Sequence, residues 1–115
     1  MLLNLSNHPS SRWPTEQFLA AHQQYTSVTD LPFPLVPPEA TADEVLQLAE
    51  DFYHQIRRAD PQAVHLMGEM TFTFRLVTML QAAGIPCIAS TTHRTVEERD
   101  GKKIVQFEFV QFRPY

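Results

Sequence analysis

Three short stretches of this 115-residue chain gather side chains with useful chemistry. In Ser90-Thr91-Thr92-His93-Arg94, two adjacent hydroxyls (Thr91 and Thr92) stand beside an imidazole and a guanidinium. Arg94 can grip two oxygens of a phosphodiester at once, and His93 is a candidate for moving a proton. Gly68-Glu69-Met70-Thr71 follows a short apolar run. Gly68 either lets the backbone approach a ligand closely or makes a tight turn. The helix start behind it offers N–H groups to an anion, and Thr71 either donates to a phosphate oxygen or caps that helix. Glu69 opposes a phosphate unless its side chain turns away, and it can instead accept from a ribose hydroxyl or an adenine amino group. The third stretch, Ser6-Asn7-His8, offers nucleotide contacts and a second imidazole. Arg113 is either solvated or reaches a ligand crevice or a partner subunit, and Trp13 is either a core or interface residue or a surface for base stacking. His22, His54 and His65 read as structural or exposed, and their scatter matches no metal-ligand spacing, so no metal and no cofactor are expected. With Cys87 as the single cysteine, neither an internal disulfide nor a cysteine-based zinc site can form.

Composition removes other classes. Net charge is −4, which makes the chain a poor non-specific binder of DNA or anionic membrane. Residues 1–62 hold three arginines against eight carboxylates, and residues 63–115 hold six lysines and arginines against five, so an anion site is expected to draw on the second half. No apolar run approaches the ~18 residues of a membrane helix, and Met1-Leu2-Leu3-Asn4 lacks the basic head of a signal peptide, which predicts a cytoplasmic protein with no membrane partner. The chain has no G-x-G-x-x-G, no P-loop and no G-x-S-x-G, and its only glycines are Gly68, Gly84 and Gly101. A dinucleotide-binding loop is therefore excluded, and the sequence speaks against a dehydrogenase, an NTPase and a serine hydrolase.

The elements that position these stretches alternate. Met1–Asn7 reads as a buried strand, and Pro14 opens a helix over 14–25 with Phe18, Ala21, His22 and Tyr25 at helical spacing. Ser27–Phe33 is a strand candidate, stopped by the proline-rich Pro32–Pro38. Thr41 and Glu44 have capping-box spacing ahead of the stripe Val45, Leu48, Phe52 and Ile56. Ala63–Met67 is a short strand, and a helix from Thr71 stops at Gly84. That helix is apolar nearly all round, which predicts either a partner subunit on its outer side or full enclosure. Pro86–Ala89 is the next strand, Asp100-Gly101 marks a hairpin, and Val105, Phe107 and Phe109 share one face of the last strand. The alternation predicts one α/β domain over 1–115, a Rossmann-like parallel sheet with helices on both faces and a C-terminal antiparallel hairpin. Ligands of such sheets bind beyond the C-terminal ends of the strands, where the three polar stretches are expected to converge.

Four segments together carry a resemblance: Leu3-Asn4-Leu5-Ser6-Asn7-His8-Pro9, Met67-Gly68-Glu69-Met70-Thr71-Phe72-Thr73, Ser90-Thr91-Thr92-His93-Arg94, and Phe107-Glu108-Phe109-Val110-Gln111-Phe112-Arg113-Pro114-Tyr115. They resemble the small stand-alone accessory proteins of type III CRISPR systems, relatives of CARF-type Rossmann-like domains that include ring nucleases. The resemblance runs from the first residue to the last. It implies a homodimer or higher homo-oligomer that binds a cyclic oligoadenylate, typically cyclic tetra-adenylate, across a two-fold axis. By position it places Ser6, Asn7, Gly68, Glu69, Thr71, Thr91, Thr92 and Arg94 in the pocket. It further implies metal-independent cleavage, a ribose 2′-hydroxyl attacking its own 3′-phosphate, with Arg94 stabilising charge and His93 or His8 moving a proton. Larger CARF proteins often place a lysine or a glycine-rich turn where this chain has Gly68-Glu69-Met70-Thr71, a departure that bears on cleavage more than on binding. Sequestration of the same ligand without cleavage, and an interaction protein of another pathway sharing only the fold, are the competing readings.

Overall fold

The computed structural model describes residues 1–115. In chain order the elements are β1 (Leu2–Ser6), a 3-10 turn (Ser10–Arg12), α1 (Thr15–Gln24), β2 (Val28–Asp30), α2 (Ala42–Ala59), β3 (Ala63–Met67), α3 (Met70–Ala82), β4 (Cys87–Arg99) and β5 (Lys102–Pro114). The five strands form one sheet in the order β2-β1-β3-β4-β5, parallel except for the antiparallel β4–β5 pair. This is the α/β architecture that the alternation predicts. Side chains alternate across it. Leu3, Leu5, Val64, Leu66 and Cys87 pack on one face against Ile56 of α2 and Leu76 and Leu80 of α3. Leu2, Ala63, Ile88 and Phe112 face the other way, against Trp13 and Ala21 of the α1 segment.

Local chemistry accounts for the boundaries. The capping box forms as its spacing predicts: Thr41 Oγ1 accepts from the Glu44 N–H, and the Glu44 carboxylate accepts from the Thr41 N–H, both at 3.1 Å. Past the end of α3, Gly84 has φ +78°, the left-handed stop expected of it. At the hairpin tip Asp100 and Gly101 have φ of 53° and 75°, the pair of positive values a two-residue turn of this hand requires.

Four features differ from the sequence-based expectation. First, β4 does not end near Ala89. It runs on to Arg99 because β5 pairs with it along its whole length, so Ser90–Arg94 lies within a strand rather than at a strand exit. The paired arm extends beyond the body, which is why the radius of gyration is 15.7 Å against the roughly 13 Å of a compact chain this long. Second, α3 is not enclosed: Phe72, Leu76 and Leu80 are buried, but Met70 is 82% exposed and Phe74 70%. Third, α1 buries Gln17 and Ala21 and leaves Phe18 exposed, since the helix touches the sheet with a narrower stripe than its apolar spacing suggests. Fourth, the strand expected over Ser27–Phe33 is only the three-residue edge strand β2.

A bulge in β5 shifts the register between Thr91, opposite Gln111, and Thr92, opposite Phe109. The extra residue puts Phe109 and Phe112, three apart, on the same face, with ring centroids 5.1 Å apart. Gly68 matters for packing. A Cβ at that position would run into the ring of Phe33, from the proline-rich segment, which itself packs edge-on to Phe72 at 5.3 Å. Gly68→Ala is expected to cost about 1–3 kcal/mol of stability by overpacking. Urea denaturation checks this, and the cost should shrink when the same change is made in a Phe33→Ala background.

Candidate functional site

A sheet with strand order 2-1-3-4-5 reverses its winding between β1 and β3, and a crevice opens beyond the C-terminal ends of those strands. Here that crevice is a cleft of about 540 Å³ on the α1 face of the sheet. One short helix covers this face, so the ends of β1, β3 and β4 are left open beside Trp13. Ser6, Asn7 and His8 come from the end of β1, Met67 and Gly68 from the end of β3, and Ser90 and Thr92 from β4. Phe107 and Phe109 of β5 form the far wall.

The floor is a closed hydrogen-bond network centred on Asn4. Asn4 is 1% exposed and stands in register with His65 on the neighbouring strand. Its Nδ2 donates to the His8 carbonyl (2.9 Å) and to Asp30 Oδ1 (2.8 Å). Its Oδ1 accepts from Ser6 Oγ (2.9 Å) and from His65 Nδ1 (2.9 Å). Both partners of Nδ2 are pure acceptors, so the amide orientation is settled, and His65 must carry its proton on Nδ1. The His8 carbonyl also accepts from Trp13 Nε1 at 3.1 Å, which ties the β1 exit loop to the cleft wall. Ser10 donates to Asp30 through its N–H and its hydroxyl.

His65 is 2% exposed, and its Nε2, across the ring from the Asn4 contact, has no hydrogen-bond partner in the chain. Burial, reinforced by the nearby His8, pushes its pKa down to about 4, so the imidazole is neutral at ordinary pH. Burial alone would raise the Asp30 pKa, but hydrogen bonds from Asn4 and Ser10 hold it below its ordinary value of 3.8. Burial likewise lifts the Cys87 thiol to about 11, leaving it an inert core residue.

The predicted site residues divide. Ser6, Asn7, His8, Gly68 and Thr92 meet at the cleft. Arg94 shares the strand face of Thr92, one step further out along the arm and beyond the cleft lining. Thr91 and His93 alternate to the opposite face, opposite Gln111 and Glu108, and Thr91 Oγ1 donates to the Gln111 carbonyl. Arg113, paired with Ala89, lies on that face too. Glu69 is turned into its own helix: its carboxylate accepts from the N–H of Phe72 and from the hydroxyl and N–H of Thr71. Those bonds, the Phe72 N–H first, hold the Glu69 pKa below its ordinary value of 4.5. The α3 start is therefore already capped, and no anion is needed there.

Sequence reasoning missed Arg12, Gln17, His65, Phe107 and Phe109. Arg12 is the cation that lines the cleft, and it comes from the acidic half of the chain. One signal was available for His65: Asn4 and His65 are polar residues at the centres of two short, mostly apolar strands, which parallel pairing brings side by side.

Fold and site define a Rossmann-like α/β protein with an open cleft at the switch point of its sheet. The sequence model described as the uncharacterized protein MJ1673 family matches residues 1–113, and the chain belongs to that family. No curated protein and no solved structure matches it at a significant level. No helix is long and apolar enough to cross a membrane.

The buried neutral imidazole has a consequence for stability. Between pH 6.5 and about 4 the unfolded His65 takes up a proton that the folded one refuses, so stability falls as pH drops through that window, by up to about 3 kcal/mol. Asp30 and Glu69, whose folded values are depressed, lose their contributions only as the pH falls below about 4.5. Denaturation midpoints between pH 7 and 5 are expected to slope downward in the wild type and to flatten in a His65→Phe variant.

Proposed function

We propose that this protein binds a cyclic oligoadenylate, cyclic tetra-adenylate first among them, in the switch-point cleft of a homodimer, and cleaves it without metal to switch off type III CRISPR signalling. The observation that carries this reading is the meeting of Ser6, Asn7, His8, Gly68 and Thr92 at one cleft. Those residues come from three of the four segments that resemble the CRISPR accessory proteins. The arm formed by β4 and β5 leaves Val96, Val105, Phe107 and Val110 exposed, apolar surface that favours assembly with a second copy.

In the cleavage step the 2′-oxygen attacks the adjacent phosphorus and the P–O5′ bond breaks. A 2′,3′-cyclic phosphate and a free 5′-hydroxyl result. The 2′-hydroxyl proton leaves to a base and another reaches O5′, so charge on the phosphorane must be met in between. His8 at the cleft is the proton-transfer candidate within one chain. Arg94, outward of Thr92, is the charge-stabilising candidate, and His93 and Arg113 would act from the opposite face, toward a ligand held by the second copy.

Sequestration without cleavage is the second reading, favoured by one observation: His8, His93 and Arg94 do not gather in a single chain. Incubating the purified protein with cyclic tri-, tetra- and hexa-adenylate in EDTA separates the readings, with products resolved by chromatography and binding followed on native gels. The expected result is linear product with cyclic-phosphate ends, slowed about a hundredfold or more in Arg94→Ala. A shifted but intact ring would establish sequestration. Neither shift nor product would leave only the fold.

A further inference from the structure

Two polar side chains in the cleft lining, each more than nine-tenths buried, keep hydrogen-bonding capacity that the network around Asn4 does not use. One is His65, whose Nε2 is buried and unpartnered while Nδ1 is spent on Asn4. The other is Gln17 on α1, 6% exposed, whose carboxamide takes no part in the bonds around Asn4, Asp30 and the His8 carbonyl. A buried acceptor without a donor costs about 1–3 kcal/mol, and such groups in native proteins call for an explanation. Around them stand Trp13, Phe107 and Phe109.

The chemistry of that arrangement is selective. A buried imidazole lone pair without a donor repels a phosphate oxygen or a carbonyl and accepts from an N–H or O–H. A carboxamide offers a donor and an acceptor side by side, the pattern that matches the N6/N7 edge of adenine. Aromatic walls favour a flat ring over a sugar or a phosphate. Arg12 adds a guanidinium to the cleft lining, suited to a phosphate at the same ligand.

We propose that the cleft is an adenine-reading pocket, in which His65 Nε2 accepts from the exocyclic amine of one base, Gln17 reads the adjoining ring edge, and the aromatic residues flank the ring. This deepens the function proposed above and rests on it, since it assigns the base rather than the phosphate of the cyclic oligoadenylate to the switch-point cleft. Asn4 and Asp30 act on this contact at second hand: they hold the imidazole in the Nδ1–H form and so keep Nε2 an acceptor.

The test compares cyclic tetra-adenylate with cyclic tetra-inosinate, whose base carries a carbonyl in place of the amine, and with the 2′-O-methyl tetra-adenylate ring. Binding is measured by calorimetry on wild type, His65→Phe and Gln17→Leu. The nitrogen chemical shift of His65 Nε2 is followed in the wild-type protein, so that the outcome does not hinge on a variant folding. The inosinate ring is expected to bind about tenfold to a hundredfold more weakly than the adenylate ring. His65→Phe should erase most of that difference, and the Nε2 signal should move on adding cyclic tetra-adenylate. Equal affinity for the adenylate and inosinate rings, or an unmoved Nε2 signal at saturation, overturns the base-reading pocket while leaving oligoadenylate binding intact. A loss confined to the 2′-O-methyl ring also overturns it, because the donor would then be a ribose hydroxyl. If no ring binds but adenosine 5′-monophosphate shifts the Nε2 signal and inosine 5′-monophosphate does not, the pocket stands and the cyclic-ligand reading falls. No response to any ring or mononucleotide overturns both.

Discussion

The side-chain amide of Asn4 sits at the centre of a largely apolar strand, and all four of its hydrogen-bonding positions are used. Left unmet, such a group would cost several kcal/mol in the interior. Met, it links three things that the chain could otherwise vary separately. The bond to His65 ties β1 to β3 in one register, because a slip of one residue would turn Asn4 into the apolar face that holds Leu3 and Leu5. The bonds to the His8 carbonyl and Asp30 set the path of the loop leaving β1. The unambiguous orientation of the amide fixes the tautomer of the imidazole at the cleft floor. Structure and site therefore share one constraint.

The cleft itself follows from an imbalance between the two faces of the sheet. Two helices cover the face of Leu3 and Leu66, whereas the other face has only α1 and the segment carrying Trp13. A single ten-residue helix cannot cover five strands, so the C-terminal ends of β1, β3 and β4 stay open. The β4–β5 arm then extends one wall outward. The bulge opposite Thr91 and Thr92 brings Phe109 and Phe112 round to the same side, where Phe112 packs beside Trp13 and His65.

An acidic chain is an awkward host for a polyanion, and the character of the cleft bears on that difficulty. Its walls are aromatic, its floor is a hydrogen-bond network that ends on the Asp30 carboxylate, and among its lining residues only Arg12 carries a permanent positive charge. A ligand held mainly by its bases needs fewer cations than one gripped by its phosphates, which is how the proposed function and a net charge of −4 can coexist. The resemblance to CRISPR accessory proteins rests on four short segments, and part of the one around Gly68 proves structural. Gly68 makes room for Phe33, and Glu69 with Thr71 caps α3. The same residues border the cleft or the helix behind it, so packing and function are not exclusive at these positions.

Most of the fold was legible because its signals are local. The capping box at Thr41 and Glu44, the stop at Gly84, the turn at Asp100-Gly101 and the strand–helix alternation each depend on residues a few positions apart, and the chain itself determines them. So were Ser6, Asn7, His8, Gly68 and Thr92, since they lie on or just past parallel strands whose ends must meet. What the chain alone could not show depends on partners distant in sequence. Whether Ser90–Arg94 is a strand exit or a strand interior depends on how far β5 pairs with β4, and that choice sends Thr92 and His93 to opposite faces. Whether His65 is a buried core histidine or part of a site depends on Asn4, sixty-one residues away, and on the Trp13 ring that packs edge-on to it at 5.2 Å. Tertiary structure decided these because parallel pairing and face alternation are set between strands, not within them.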